Sequence, residues 1–411
     1  MFRPISVGMA PTIQSDDLAR AFRALLAPWK WEKGDDVEKL RHWFKRRFST
    51  EFAIPFNSGR AALYGILKAM KLGTGDEVLL QAFTCVAVPN AVLWVGATPV
   101  YVDTVEHGYS MSVSDLEKKI TPKTKAIIVQ HTFGYPDDME RIVKIAKKHN
   151  LYLIEDCAHS LGNELNGKRL GTYGDAAFFS FGRDKVVSST FGGVAIASDK
   201  AIGTALEEQY KTLHYPTGSW IVKQLLYPLF MAMILPWYGI QIGKVILEVL
   251  KKVQLLSLPV DSVEYYCEHP TIYPKRLPNA LAGLALRQLY KLESFQQKRV
   301  HAAQLYRKHL NHISIGLPPE TSEPLIRFSI HVEDPHGLYY WAKKKNIILG
   351  NWYSNVIDPK GVDMNRVGYK KGTCPNAEYH APTIINLPTA PVLEEKEIMK
   401  VIETVKGYYE H

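Results

Sequence analysis

Residues 124–162 read TKAIIVQHTFGYPDDMERIVKIAKKHNLYLIEDCAHSLG, and this stretch decides the fold. The short apolar run at 126–130 ends in a polar residue, as a strand buried on both faces does. An amphipathic pattern follows over 137–149, with apolar residues at helical spacing. A second apolar run at 151–155 then closes a strand–helix–strand unit. The same alternation extends outward. A helix is expected at 60–71, a turn at GTGDE, a strand at 78–80, a helix at 86–95 and a strand at 99–102. Further strands are expected at 176–179 and 194–197. From about 52 to 200 the chain therefore reads as α/β, with a large, mostly parallel sheet and helices on both faces. Ligands of such sheets sit beyond the carboxyl ends of the strands, so polar residues just after strands carry the functional interest.

The flanks read differently. Residues 1–50 form a helical arm, with a charged amphipathic helix at 35–48, and 201–270 breaks the alternation. From 279 a long helix to 310 leads into a smaller α/β region ending at 411. Two domains are expected: 1–270, with an apolar insertion at about 215–260, and 271–411.

Composition narrows the classes. Of 411 residues, 46% are hydrophobic and 22% charged, which excludes overall disorder. The 4 cysteines (Cys85, Cys157, Cys267, Cys374) are far apart, with no CxxC pair, which argues against a disulfide scaffold and a zinc cluster. A reducing, cytoplasmic location is expected. The opening MFRPISVGMAP lacks the apolar run of a secretory signal. A net charge of +9 suits phosphate-rich or membrane-surface partners without choosing between them.

Three clusters carry candidate chemistry. Asn57-Ser58-Gly59-Arg60-Ala61-Ala62-Leu63 is a small-residue turn entering a helix, whose free N–H groups and dipole suit a phosphate. Ser58 as a plain N-cap is the bland alternative. In Ile154-Glu155-Asp156-Cys157-Ala158-His159-Ser160, a carboxylate after an apolar strand can pair with a cationic heterocycle. Alone, Asp156 reads equally as a helix cap and His159 as a structural histidine. In Phe178-Phe179-Ser180-Phe181-Gly182-Arg183-Asp184-Lys185, a lysine after a buried strand can be desolvated into a carbonyl-reactive amine. A solvated lysine is the default.

In this order the clusters resemble the DegT/StrS family of sugar aminotransferases, fold-type-I enzymes that use pyridoxal phosphate. The resemblance rests on FNSGRAAL at 56–63, GDEVLLQAFT at 75–84, GATPVYVD at 96–103, TKAIIVQHTFGYPDDM at 124–139, LIEDCAHSLG at 153–162, GDAAFFSF at 174–181 and FGGVAIASD at 191–199. It implies that Lys185 forms the Schiff base with the cofactor and that Asp156 faces the pyridine nitrogen, keeping the ring an electron sink. His159 matches the position near the ring hydroxyl. Ser58, Gly59, Arg60 and Ser180 match phosphate contacts. The family's last phosphate contacts come from the partner subunit of a homodimer, through a segment that here looks like Ile272-Tyr273-Pro274-Lys275-Arg276. Arg276 matches its arginine, and Pro274 replaces its asparagine. Where the family stacks an aromatic on the ring, this chain has Cys85, with Phe83 two residues earlier as the other candidate. His131 follows a strand and reads equally as a site residue or a structural one. The helix from Asn279, the Cys374–Glu378 loop and Asn386-Leu387-Pro388-Thr389 resemble the family's small domain.

The resemblance implies transfer of an amine from an amino acid, by expectation glutamate, to a nucleotide-linked keto sugar, with no nucleic-acid partner. Relatives that remove a sugar hydroxyl have His where Lys185 stands, which disfavours a dehydratase. Pro274 and Cys85 are the support for a non-enzymatic, membrane-docked homologue.

One block stands apart. Residues 224–243 hold no charge over 20 positions, enough for a helix of about 30 Å, the thickness of a bilayer core. Lys223 and Lys244 flank the run; Trp220, Tyr227, Trp237 and Tyr238 resemble interface anchors, and Pro228 and Pro236 interrupt it. A single crossing would separate Lys185 from Arg276. The segment is therefore expected to return as a hairpin near Pro236 or to lie in the interface, followed by an amphipathic helix over 244–258. Peripheral membrane contact through 220–258, at the inner face, is the reading taken; a dry subunit interface is the alternative.

Overall fold

The computed structural model describes residues 3–410; the terminal residues 1, 2 and 411 of the two expected domains lie outside it. Its centre is a seven-stranded sheet in the order Phe52–Phe56, Gly193–Ala197, Ala176–Ser180, Tyr152–Asp156, Thr124–Gln130, Glu77–Gln81, Thr98–Val102. All pairings are parallel except those of Gly193–Ala197, which runs antiparallel to both neighbours. Along each strand the side chains divide by face. Val78, Leu80, Ile128 and Ile154 join one core, while Leu79, Ile127, Val129 and Leu153 join the other with Met139, Ile142 and Ile145 of the helix Met139–Lys148. Burial of both faces explains the uninterrupted apolar runs. Helix starts are capped by side chains: Ser58 accepts from Ala61 N–H, Asp138 from Arg141 N–H and Asp199 from Ile202 N–H.

Three features differ from expectation. The long helix from Asn279 is two helices, Asn279–Leu289 and Leu292–Leu310. The chain turns at Tyr290 and Lys291, where Lys291 Nζ reaches the carboxylates of Asp16 and Asp17. The arm holds two helices, Ser15–Leu25 and Asp36–Phe48, and begins with a strand, Ile5–Ser6, paired in parallel with Ile347–Ile348 near the C-terminus. Strand Phe52–Phe56 carries Pro55 and lies at the sheet edge, where a missing N–H is tolerated.

The apolar block is a helical hairpin. Gly218–Trp237, the helix Gly218–Ile234 with the turn that follows it, is long and apolar enough to cross a membrane by length and composition. It instead packs along Ser15–Leu25, burying Ile221, Leu225, Tyr227 and Met231. A tight turn with Pro236 follows, and Ile242–Lys252 returns. The turn needs Gly243, because a Cβ there would sit 2.5 Å from Ile234 O.

The C-terminal region pairs Arg327–His331 antiparallel with Ile384–Pro388, covered by Leu292–Leu310, Pro335–Lys344 and Glu395–Tyr409. Its short strand Ile357–Asp358 pairs in parallel with Thr84–Cys85. That pairing brings the 350s loop over the carboxyl edge of the sheet.

Candidate active site

A cavity of about 350 Å³ opens at the carboxyl edge of the sheet, within the size range of small-molecule sites. Ser58, Gly59, Arg60, Cys85, Asp156, His159, Ser180 and Lys185 all line it. Residues separated in sequence meet there because each follows the carboxyl end of a strand.

Asp156 ends its strand fully inside the protein. One carboxylate oxygen accepts from Ala158 N–H at 2.9 Å. Burial pushes its carboxyl up to about 6, against the pull of the Ala158 N–H and the Lys185 charge. A cationic ring nitrogen in the cavity would return it to its ionised form. His159 Nε2 lies 2.9 Å from Lys185 Nζ, and its Nδ1 accepts from Phe133 N–H at 3.3 Å. Burial, joined by the Lys185 and Arg327 charges, holds the imidazole well below its ordinary value, so the ring is neutral. With Nδ1 accepting, the ring proton sits on Nε2 and points at the lysine nitrogen.

The helix Gly59–Ala69 presents its first turn to the cavity, with Ser58 as N-cap. A Cβ at Gly59 would stand 2.8 Å from Ser180 Cβ, so only glycine lets the helix start and the strand end approach this closely. Ser180 Oγ accepts from Gly182 N–H, leaving its hydroxyl proton to donate. The Arg60 guanidinium is engaged by buried Glu264 and by Pro259 O, and stands 5.2 Å from the Tyr273 ring. Arg60 thus offers its backbone to an anion, because its side chain is already paired.

Cys85 does line the cavity, and burial raises its thiol. Phe83 does not swing in; it is fully buried against Tyr109, Phe133 and Tyr353. Trp352 and Tyr353 of the 350s loop add aromatic surface to the wall, beside Phe178, Phe191 and Tyr265, with the Tyr353 ring 6.3 Å from that of His159. Arg276 lies outside the cavity wall of its own chain and donates to Tyr210 O and Lys211 O. Asn57 pins the 272–275 segment through Ile272 O and Lys275 N–H. His131 is structural: it is buried between Glu155 and Asp137, and Glu155 also accepts from the N–H groups of Gly171, Tyr173 and Gly174.

Among the wall residues that escaped the sequence reading as site residues are Arg183, Asp184, Arg327 and Tyr353. Arg183 and Asp184 lay in view, between Ser180 and Lys185. Arg327 and Tyr353 left no signal, being more than a hundred positions downstream. Asp184 pairs with buried Arg327. Burial pushes the Asp184 carboxyl up, but the Arg327 and Lys185 charges outweigh this and hold it below its ordinary value. The donor set fits pyridoxal 5'-phosphate: an amine for its aldehyde, a buried carboxylate for its ring nitrogen, and a helix start with a free hydroxyl for its phosphate.

The profile of the DegT/DnrJ/EryC1/StrS aminotransferase family matches residues 11–217 and 248–406. GDP-perosamine synthase of Escherichia coli O157:H7 is 27% identical over 413 residues, covering 97% of each chain. The dTDP-3-amino-3,6-dideoxy-alpha-D-galactopyranose transaminase of Aneurinibacillus thermoaerophilus is 28% identical over 395 residues, covering 95% of each. Among solved structures, an aminotransferase from Psychrobacter cryohalolentis superposes with a TM-score of 0.76 at 21% identity, over 97% of this chain and 98% of that one. The chain has the fold-type-I architecture of pyridoxal-phosphate aminotransferases, uses that cofactor, and belongs to the DegT/DnrJ/EryC1/StrS aminotransferase family.

Proposed function

We propose that this enzyme moves an amino group from an amino acid, with glutamate as the donor, to a keto sugar carried on a nucleotide. The observation that carries the reading is the convergence of Lys185, His159 and Asp156 in one cavity, with Lys185 Nζ 2.9 Å from His159 Nε2. Two relatives are named for GDP- and dTDP-linked amino sugars, which supports the substrate class. When bound, pyridoxal phosphate supplies an aldehyde carbon that takes an amine and a ring that accepts an electron pair.

The protein's groups do the rest. Lys185 would hold the cofactor through its side-chain amine and, when free, would move the proton at the donor α-carbon. Asp156 would hold the ring nitrogen in its protonated form. His159, being neutral, adds no second positive charge beside the lysine. Ser58, Gly59, Arg60 and Ser180 take the phosphate through the helix start and the Ser180 hydroxyl. Cys85 and Tyr353, which line the cavity, would bound the ring. The two half-reactions share one site, so the kinetics are ping-pong. Lys185 disfavours a dehydratase.

The working form is a cytoplasmic homodimer in which the partner's copy of the 272–276 segment, with Arg276, completes the cofactor site. The chain divides into a large unit over 1–270 and a small one over 271–411, with Ile5–Ser6 lent to the small unit's edge. The hairpin docks on the inner face of a membrane. Its return helix exposes Ile242, Val245, Val249 and Val253 beside Lys244, Lys251 and Lys252, an apolar, cationic outer face.

The test is spectroscopic and chemical. Purified protein with pyridoxal phosphate gains the visible absorbance of lysine-bound cofactor, Lys185→Ala lacks it, and glutamate bleaches it. A panel of GDP-, dTDP- and UDP-linked keto sugars then restores it. Failure of every amino donor to bleach the band would sink the reading.

A further inference from the structure

Three arginines stand in the cavity wall, and two of them are paired: Arg60 with Glu264, and Arg327 with Asp184. Arg183 is different. Its Nε and Nη2 are sealed from solvent and have no hydrogen-bond partner among the described residues. These two N–H groups form the side-on fork of the guanidinium, the edge that takes two oxygens of one phosphate or carboxylate. An unpaired buried guanidinium is costly, and a small shift of the side chain that turns this fork onto a fixed anion in the cavity that Arg183 lines would remove that cost.

What holds Arg183 in place is unusual. Its guanidinium stacks on the Tyr227 ring at 4.0 Å and lies 5.6 Å from Phe191. Tyr227 belongs to Gly218–Ile234, the first helix of the apolar hairpin. The family profile matches residues 11–217 and 248–406, so the helix that carries Tyr227 lies outside the matched stretches. Tyr227 is buried with Ala10, Met231, Leu235 and Leu256, a cluster built largely from the hairpin itself. The same helix ties to the loop after Lys185, where Thr190 Oγ1 donates to Gln224 O at 3.1 Å. The hairpin therefore reaches the catalytic wall from behind.

We propose that Arg183 is a phosphoryl-binding residue of this cavity and that the hairpin, through Tyr227, is the element that positions it. The inference rests on reading the cavity as the cofactor site. Arg183 lies three residues from Ser180 and two from Lys185, so two phosphoryl sources are within its chemistry. One is the cofactor's own phosphate; the other is the diphosphate of a nucleotide-linked substrate. In either case Arg183 supplies from within the chain a cationic contact that the 272–276 segment, with Pro274, is less equipped to give across the dimer.

The test compares wild type with Arg183→Met and Arg183→Lys. Cofactor-free protein is titrated with pyridoxal phosphate and, separately, with pyridoxal, which lacks the phosphate. Cofactor-loaded and cofactor-free protein are each titrated with GDP, dTDP, UDP and inorganic pyrophosphate by calorimetry. A loss of tenfold or more for pyridoxal phosphate in Arg183→Met, with pyridoxal unchanged, assigns the cofactor's phosphate. A loss of that size for the diphosphates alone assigns the substrate's. Arg183→Lys should recover part of either loss. Unchanged binding in both arms overturns the proposal. Tyr227→Ala should reproduce the loss with Arg183 intact, and Tyr227→Phe should not. This pair decides the matter if Arg183→Met fails to fold, and equal binding by the two Tyr227 variants then counts against the proposal. If wild type takes up no pyridoxal phosphate, the cofactor reading fails, while the diphosphate titration of cofactor-free protein still decides Arg183.

Discussion

His159 Nε2 lies 2.9 Å from Lys185 Nζ, while His159 Nδ1 accepts the Phe133 N–H. The backbone bond favours the tautomer of the neutral ring that carries its proton on Nε2, an N–H donor at the nitrogen nearest Lys185. His159→Leu should keep the cofactor but slow the half-reaction with the amino donor by about tenfold to a hundredfold, the worth of a hydrogen bond to a charged or reacting group. His159→Gln, which retains an N–H donor, should keep most of the rate. Rapid mixing of loaded enzyme with donor measures both; equal rates in all three proteins would deny His159 this role.

Asp156 sets a pH dependence whose sign follows from burial. Its carboxyl is raised from 3.8 to about 6 in the folded, cofactor-free protein, so folding takes up a proton between those values. The group's contribution to stability is therefore most favourable below 3.8 and is lost as pH rises through about 6. At pH 8, cofactor-free Asp156→Asn should be more stable than wild type by up to about 3 kcal/mol, since the amide oxygen still accepts from Ala158 N–H without the cost of a buried charge. Cofactor binding should show the opposite trend. A protonated ring nitrogen prefers the ionised carboxylate, so affinity rises from pH 5 to pH 7 in wild type and is flat in Asp156→Asn. Urea unfolding and absorbance titration across that range check the two limbs.

Glu264 is fully buried, and it carries the Arg60 guanidinium. Removing one partner leaves a charge stranded inside the protein, at a cost of about 3–5 kcal/mol. Glu264→Ala should lower stability by that amount and free Arg60 toward the cavity, while Arg60→Met with Glu264→Gln should recover most of the loss. Denaturant midpoints of the single and double variants give the coupling.

Much of this site was legible because strand ends announce themselves. Apolar runs with polar residues at their carboxyl edge located Asp156 and Ser180, and small residues entering a helix located the turn before Gly59. Other parts were hidden for physical reasons. A buried strand reads the same in either direction, so nothing in GVAIA marks Gly193–Ala197 as antiparallel. Pro55 disguised the edge strand Phe52–Phe56. A cavity aromatic was expected near Cys85 because neighbours in sequence are the easy candidates. Tyr353 reaches the cavity wall through the pairing of Ile357–Asp358 with Thr84–Cys85, a long-range contact with no local signature. The hairpin was visible as an apolar run, but composition alone could not separate its buried face from its exposed one.

That separation gives the last prediction. Leu247 and Leu250 of the return helix pack inward against the cluster around Tyr227. Ile242, Val245, Val249 and Val253 point outward and are each at least half exposed, with Trp237 at the turn exposed as well. Water does not favour such a patch, and Lys244, Lys251 and Lys252 along the same helix are placed to meet anionic headgroups. Val245→Glu with Val249→Glu changes only the outer face, so it should abolish flotation with vesicles containing phosphatidylglycerol while leaving cofactor absorbance intact. Each lysine near the surface contributes about 1 kcal/mol, so binding by wild type should weaken steeply as salt rises. If wild type ignores such vesicles but the double variant changes its oligomeric mass by light scattering, the patch joins two copies of the chain and the membrane reading is wrong.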